Sequence, residues 1–459
     1  MPGLPWWLLA VFVLGVNFAI WGGVGIIRLT ESRAARLAHR RSGDARRPVA
    51  RQGARPSRRA ASGGPLVQQA AFKVRHVAVL IPAHNEAAVL AASLESIMKL
   101  VPRRNVYVVS DGSTDGTAEL ARNSGAQVHE TERNVGKAGA LREGIGHFKL
   151  IDRYPVVLLL DADTRIQAEY FAEALPLFDE PDVVAVAGCV RTARDRRLSV
   201  TGNVLVGHRQ RIYAIGQRML KFGQTYLRAN ATHIVPGFAS MYRTEVLQFM
   251  DLDPPGLVIE DYNMTFEIYQ KRLGKVAFTL SAVAETQDPV AFRDYVRQTR
   301  RWAVGLWQTV RRHPPQANLF SAMLAILLLE LITSSAVFVT LPLILLILLL
   351  PDVAHSALTW PDFGDLHAVV AAHMKLSALL FGVAVPDYAL TCLVAALERR
   401  PRLLVVGLFF PLMRVIDAAI ALSAVPAGWF VRSSGIWKSP TRRGISTQPA
   451  HGSRSARFS

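Results

Sequence analysis

Val156-Val-Leu-Leu-Leu160-Asp161-Ala162-Asp163 is the stretch that decides the fold. Five consecutive apolar residues between Pro155 and a pair of acids read as a strand buried on both faces. Moving outward, His76-Val-Ala-Val-Leu-Ile81 and Val106 to Val109 have the same apolar, β-branched character. Between and around these runs the pattern changes to helical periodicity, over Ala87 to Leu100, Gly116 to Asn123 and Gly136 to Phe148. Such alternation predicts an α/β domain with a mainly parallel, Rossmann-like sheet over residues 75–313. In these sheets ligands bind beyond the carboxyl ends of the strands. The acids and glycines gather at those ends.

The first strand ends in Pro82-Ala83-His84-Asn85-Glu86, and the second in Asp111-Gly112-Ser113-Thr114-Asp115-Gly116. Asp111 could accept hydrogen bonds from a base or ribose, although the same string also makes a helix-capping turn. Asp161 and Asp163, at i and i+2 on a turning backbone, can serve one hard divalent cation that also bridges a diphosphate. Asn134-Val-Gly136-Lys137 places a cation beside a helix start, where phosphate is favoured.

The second half supplies a different set. Ile259-Glu260-Asp261 opens a helix expected over Asp261 to Leu273, where an acid is an ordinary N-cap. A carboxylate base opposite a leaving diphosphate is also needed for attack by an acceptor hydroxyl, and Asp261 or Glu260 suits that task. Gln298, Arg301 and Trp302 lie at i, i+3 and i+4 of a helix expected over Phe292 to His313. An amide, a guanidinium and an indole on one face suit a sugar, and the same helix reads as basic and amphipathic, lying on a membrane surface.

The flanks are apolar. Of 459 residues 51% are hydrophobic, and mean hydropathy is +0.22. Leu4 to Ile27 is long enough to span a bilayer and lacks the basic start and cleavage site of a signal peptide. Further apolar blocks run from Leu319 to Leu350, Met374 to Leu397 and Leu403 to Val431. The net charge of +18 is concentrated next to these blocks, notably in Arg28 to Arg75, which points to anionic lipid rather than nucleic acid. The expected organisation is a membrane helix over 1–28, a largely disordered Arg-rich linker over 29–74, the α/β domain over 75–313, membrane or interfacial helices over 314–432 and a basic tail over 433–459. Charge places the linker, the α/β domain and the Glu398-Arg-Arg-Pro-Arg402 turn in the cytosol, and Pro351 to His373 outside. With a basic tail, either one block is re-entrant or interfacial, for which the last, with Arg414 and Asp417 inside it, is the candidate, or the tail departs from the charge rule. Cys189 and Cys392 read as isolated packing residues.

Taken in order, Pro82–Glu86, Asp111–Gly116, Asn134–Ala138, Asp161-Ala-Asp163, Pro236-Gly237-Phe-Ala-Ser240, Glu260-Asp261 and Gln298-x-x-Arg301-Trp302 resemble the processive, inverting family-2 glycosyltransferases. That group includes the cellulose, chitin, hyaluronan and poly-N-acetylglucosamine synthases. The Gly435–Gly444 ending looks most like the bacterial poly-β-1,6-N-acetylglucosamine synthases. The resemblance implies a GT-A fold, a UDP-sugar donor, and a growing polysaccharide or lipid-linked acceptor. It also implies a multi-pass protein of the plasma membrane, in contact with membrane lipids and with room for a small accessory membrane subunit. By the same resemblance Pro82, Asn85, Glu86, Asp111 and Lys137 hold the nucleotide-sugar, Asp161 the diphosphate and Asp163 the Mg²⁺ or Mn²⁺. Asp261 is the general base, and Gly237, Gln298, Arg301 and Trp302 line the acceptor site. Two alternatives remain: a transferase adding one sugar to a lipid, and a non-catalytic membrane scaffold or transporter, which would tolerate loss of the acids.

Overall fold

The computed structural model describes residues 5–41, 72–193, 198–359 and 361–431. Most of the Arg-rich linker and the whole basic tail lie outside the described residues. The α/β domain is one eight-stranded sheet: β1 (Val77–Ala83), β2 (Val106–Asp111), β3 (Gln127–Thr131), β4 (Val156–Leu160), β5 (Arg165–Ile166), β6 (Val183–Thr192), β7 (Ala239–Arg243) and β8 (Lys275–Thr286). Their spatial order is β3-β2-β1-β4-β7-β6-β8-β5. Strands β3, β2, β1 and β4 are parallel, β7 runs antiparallel between β4 and β6, and β5 pairs antiparallel with β8.

Helices relevant to the site are α1 (Trp6–Leu14), α2 (Val16–Arg41), α3 (Ala87–Met98), α4 (Thr117–Asn123), α5 (Gly136–His147), α6 (Val200–Ile215), α7 (Glu260–Gln270), α8 (Phe292–Arg312), α9 (Leu319–Val353), α10 (Val385–Leu397) and α11 (Phe410–Phe430). Successive strand residues face opposite sides. Val77, Val79, Ile81, Val156, Leu158 and Leu160 meet Leu90, Leu94 and Ile97 of α3 on one face. Ala78, Leu80, Val157 and Leu159 meet Ala140, Leu141 and Ile145 of α5, with Met264 and Ile268 of α7, on the other. Covering both faces explains the unbroken apolar runs. Truncating one such residue, Leu158 for example, to alanine costs about 2–5 kcal/mol.

Among the described residues three helices are long and apolar enough to cross a membrane: Leu319–Val353, Leu376–Leu397 and Arg402–Phe430. They correspond to the three C-terminal blocks. The N-terminal apolar block is bent: α1 and α2 meet at 64°. Gly15 makes the bend at φ 88, and a Cβ there would lie 2.0 Å from Oε1 of Glu330. That carboxylate accepts the Asn17 backbone N–H at 2.9 Å and its side-chain amide at 3.0 Å, capping the start of α2. On the other side of the bend Arg414 donates to the Val13 carbonyl at 3.1 Å. Helix α2 continues to Arg41, past the position where the linker was expected to start.

The remaining polar groups among the apolar helices also join elements. Asp387 on α10 takes Arg211 of α6 at 2.8 Å and Arg414 of α11 at 2.9 Å. Asp417 on α11 takes His208 of α6 at 2.9 Å and the Tyr295 hydroxyl of α8 at 2.7 Å. The α/β domain is thus tied to the apolar helices through α6 and α8.

Candidate active site

The parallel strands β2, β1 and β4 end on the same edge of the sheet, and the loops beyond them are bound together. Asn85, held at φ 53, accepts the Thr114 N–H at 2.8 Å, and its own N–H reaches the Ser113 hydroxyl at 3.2 Å. The Glu86 N–H donates to Thr117 at 3.0 Å, its carbonyl caps α3, and its side chain is buried. Asp111 is fully buried. Its carboxylate accepts from the Thr131 hydroxyl at 3.0 Å and from the N–H groups of Val135 and Gly136 at 2.7 and 3.0 Å. Burial raises its pKa, and those hydrogen bonds pull it part of the way back. Asp111 therefore fixes the turn into α5 and sets the direction of that helix's N-terminus. Pro82 is buried within β1, opposite Val109 of β2.

From that turn Lys137 reaches across the sheet end. Its ammonium lies 2.7 Å from Oδ1 of Asp161 and 2.9 Å from Oε1 of Glu260, with the Gly237 carbonyl at 3.4 Å. Burial alone would lower the Lys137 pKa, but the charges of Asp161 and Glu260 overcome it and raise the value. The lysine is a fixed cation, 17% exposed. Burial and the neighbouring Asp163 push the Asp161 carboxyl up despite the lysine.

The two acids that open α7 have opposite environments. Glu260 is also disfavoured by burial, but Lys137 more than compensates and holds its pKa below the usual range. Among the described residues Asp261 has no such close cation. Burial and the adjacent Glu260 charge raise its pKa to about 6, against weaker opposition from Lys137 and from the Gly237 and Tyr262 N–H groups. Those N–H groups donate to Oδ2 at 3.2 Å and to Oδ1 at 2.8 Å, which orients the carboxylate and leaves each oxygen a further lone pair. Gly237 is demanded by proximity: a Cβ there would sit 2.9 Å from the Lys137 ammonium and 3.0 Å from Glu260 Oε1.

Asp163 is buried, with the Thr164 and Thr286 hydroxyls each 3.4 Å from one of its oxygens. Among the described residues no three His, Cys, Asp or Glu side chains gather into a metal cage. Asp161, 29% exposed, and Asp163 thus offer two carboxylates at the end of β4. That donor set fits a hard divalent cation which completes its shell with diphosphate oxygens and water.

On α8, Gln298 and Trp302 come together around a residue that the sequence did not single out. Arg209 of α6 is 3% exposed, and its guanidinium lies 4.4 Å over the Trp302 ring and 4.6 Å over the Tyr295 ring. It also donates to the Thr299 hydroxyl at 2.7 Å and to Gln298 Oε1 at 3.3 Å. Arg301 is exposed, and its charge contributes to holding Glu260 ionised. The structure therefore makes one cluster of Lys137, Asp161, Gly237, Glu260 and Asp261, and a second, built on α8, of Gln298, Trp302 and Arg209. The only available signal for Arg209 was the polar string His208-Arg-Gln-Arg211 inside a partly apolar helix.

Residues 75–305, half of the chain, match the family described as glycosyltransferase like family 2. The chain belongs to that family. This family-2 glycosyltransferase has the GT-A fold and is a sugar-transferring enzyme. It is similar to the uncharacterized glycosyltransferase YaiP of Escherichia coli, with 30% identity over 240 residues, covering 51% of the chain and 57% of that protein. It is also similar to the poly-β-1,6-N-acetyl-D-glucosamine synthase of Staphylococcus epidermidis, 24% identical over 260 residues, covering 54% of the chain and 60% of that protein. The chain thus spans less than two thirds of the length of these relatives. Among solved structures it resembles the mannosyltransferase PcManGT of Pyrobaculum calidifontis, in complex with GDP-Man and Mn²⁺. That likeness has a TM-score of 0.51 and 18% identity, covers 89% of this chain and 99% of the other, and concerns the fold alone.

Proposed function

We propose that this family-2 glycosyltransferase is a membrane-embedded, inverting enzyme that moves a sugar from a UDP-sugar to the growing end of a β-linked polysaccharide, with N-acetylglucosamine as the sugar. The observation that carries the reading is the unequal fate of the two neighbouring acids. Glu260 is held ionised by Lys137, whereas Asp261 has a pKa of about 6 and, among the described residues, no close cation, which suits a general base. The similarity to the Staphylococcus epidermidis synthase supports the sugar and the polymer.

In this mechanism the donor diphosphate lies against Lys137 and the N-terminus of α5, where ammonium and helix N–H groups favour its charge. Asp161 and Asp163 would hold Mg²⁺ or Mn²⁺, which when bound neutralises charge on the diphosphate. Asp261 takes the proton from the acceptor hydroxyl as its oxygen forms a bond to the anomeric carbon. The bond from that carbon to the diphosphate breaks on the opposite face, and UDP departs with the electron pair. The Trp302 ring offers a stacking face to the terminal sugar of the acceptor, and Gln298 and Arg301 offer hydrogen bonds to its hydroxyls. The catalytic domain faces the cytosol in this reading, with the apolar helices in the plasma membrane and an accessory membrane subunit as a further partner.

The test is a panel of UDP-sugars given to the purified protein in vesicles, with products sized. The reading expects long chains from UDP-N-acetylglucosamine and none from an Asp261→Asn variant. Single-sugar adducts on lipid would overturn chain extension, and turnover by the Asp261→Asn variant would overturn the base assignment.

A further inference from the structure

The loop that brings Gly237 to Asp261 has no helix or strand of its own: from Thr225 to Phe238 the chain is turns and coil. Its course is therefore set by individual hydrogen bonds. At its far end the Val235 N–H donates to the Thr265 hydroxyl at 2.8 Å and the Gly237 N–H to Asp261 Oδ2 at 3.2 Å, both acceptors lying on α7. In the middle, the Asn230 side chain bonds the N–H and the carbonyl of Val276 on β8, at 3.0 and 2.8 Å. The near end is the last turn of the helical segment that continues from α6 through Gln224, where four carbonyls need partners from outside the helix. Three are taken by residues that follow: Lys221 by Thr225, Gly223 by Tyr226 and Gln224 by Ala231. The fourth, Phe222, is taken by Arg28.

Arg28 belongs to α2 and is only 2% exposed. Its Nη1 donates to the Phe222 carbonyl at 2.5 Å and to the Thr225 hydroxyl at 3.1 Å, and its Nη2 to the Phe278 carbonyl of β8 at 2.8 Å. The guanidinium also lies 4.1 Å from the centre of the Phe222 ring. Backbones must touch for this reach: a Cβ on Gly223 would sit 2.1 Å from the Trp21 carbonyl of α2. Among the described residues the Arg28 donors meet no carboxylate. Burying a guanidinium without a counter-charge costs solvation, and what it secures is placement. One arm of a rigid fork holds the start of the loop and the other holds β8, the strand to which Asn230 ties the middle of the loop.

We propose that Arg28 is a positioning residue for sugar transfer: from α2 it fixes the loop Thr225–Gly237, and through that loop the N–H that orients Asp261. The inference rests on the reading of Asp261 as the base. The titratable groups that face Asp261 are Glu260 and Tyr262 on α7, Lys137 on α5, Tyr242 on β7, and Lys221 just before the loop. The Gly237 N–H and the Lys221 ammonium both favour the charged carboxylate. Loosening either one raises the Asp261 pKa, so the acid limb of the rate moves to higher pH. Lys137 is held by Asp161 and Glu260 besides the Gly237 carbonyl, so donor binding stays.

The experiment measures kcat, donor KM and the pH profile of kcat/KM for the full chain in vesicles, with thermal midpoint as the check on folding. Arg28→Ala is expected to lower kcat roughly 10- to 100-fold at constant donor KM. Its acid limb should move up from about pH 6 by as much as roughly one unit. Arg28→Lys, a single point donor in place of the fork, recovers part of both losses. Thr225→Val removes one acceptor of Arg28 on the loop side and shifts the limb the same way by less; it carries the test if Arg28→Ala does not fold. Thr30→Ala, whose hydroxyl bonds the Ile27 carbonyl within α2, keeps the wild-type profile. A wild type with no limb near pH 6 sinks the base reading, and this inference with it. A wild-type limb that stays in place in both Arg28→Lys and Thr225→Val, or a lowered midpoint with kcat and limb intact, overturns this inference alone.

Discussion

Acidification should switch the enzyme off through Asp261 well before any ordinary carboxylate titrates. The working form of a general base is the deprotonated one, so the rate rises with pH through the pKa and is flat above it. With that pKa at about 6, one pH unit below it leaves roughly a tenth of the sites ionised, a tenfold loss equivalent to about 1.4 kcal/mol. An aspartate at its ordinary 3.8 would remain almost wholly ionised at the same pH and show no loss. The assay is kcat/KM for the donor between about pH 4.5 and 8, which reports the free enzyme. A Glu260→Gln variant adds a directional check. The Glu260 charge is the second largest cause of the upward shift, after burial, so its removal moves the acid limb to lower pH. A limb that stays below about pH 4.5 in the wild type, or moves upward in Glu260→Gln, would refute the reasoning.

Lys137→Met removes the ammonium that lies against both Asp161 and Glu260 and should lower stability by about 3 kcal/mol, seen in denaturant unfolding, and raise donor KM. Gly237→Ala forces a methyl against Lys137 and Glu260 and should reduce kcat at least tenfold with little change in circular dichroism. Arg209→Ala removes the guanidinium over Trp302 and should raise acceptor KM roughly tenfold while donor KM holds; Arg209→Lys, which keeps charge but not the planar fork, should recover only part of the loss. Glu330→Ala uncaps the start of α2 and should cost about 1–3 kcal/mol of stability in detergent, measured by thermal unfolding.

The strands β1, β2 and β4 and the acids at their ends were legible because a strand covered on both faces must be apolar, and its ligand-facing end must not be. The edge strand β3 was not, since Gln127-Val-His-Glu-Thr131 is mostly solvent-facing and carries no apolar period. Nor does any spacing disclose that β7 enters the sheet antiparallel between β4 and β6; that follows from long-range pairing. The residues alone left Glu260 and Asp261 open as the base, with the resemblance favouring Asp261; the position of Lys137 against Glu260 now gives that choice a physical ground. Arg209 was invisible because a buried arginine is defined by its partners, here on a helix about ninety residues further along the chain. The break at Gly15 was hidden for the same reason, with Glu330 being 313 residues away from Asn17.

That break has a consequence for the order in which the chain is put together. Among the described residues, long-range partners at the kink are Glu330, which takes the Asn17 N–H, and Arg414, which donates to the Val13 carbonyl; both are synthesised long after residue 15. Val13 waits 401 residues for its partner. In the membrane-embedded reading proposed above, the N-terminal segment without α11 would satisfy its backbone best as one straight helix with its hydrogen bonds internal. That reading predicts a first helix that is straight at insertion and bends once Arg414 arrives. A ribosome stalled before codon 414 should hold the segment unbent, and a cysteine pair across the joint, cross-linked at successive chain lengths, would time the closure.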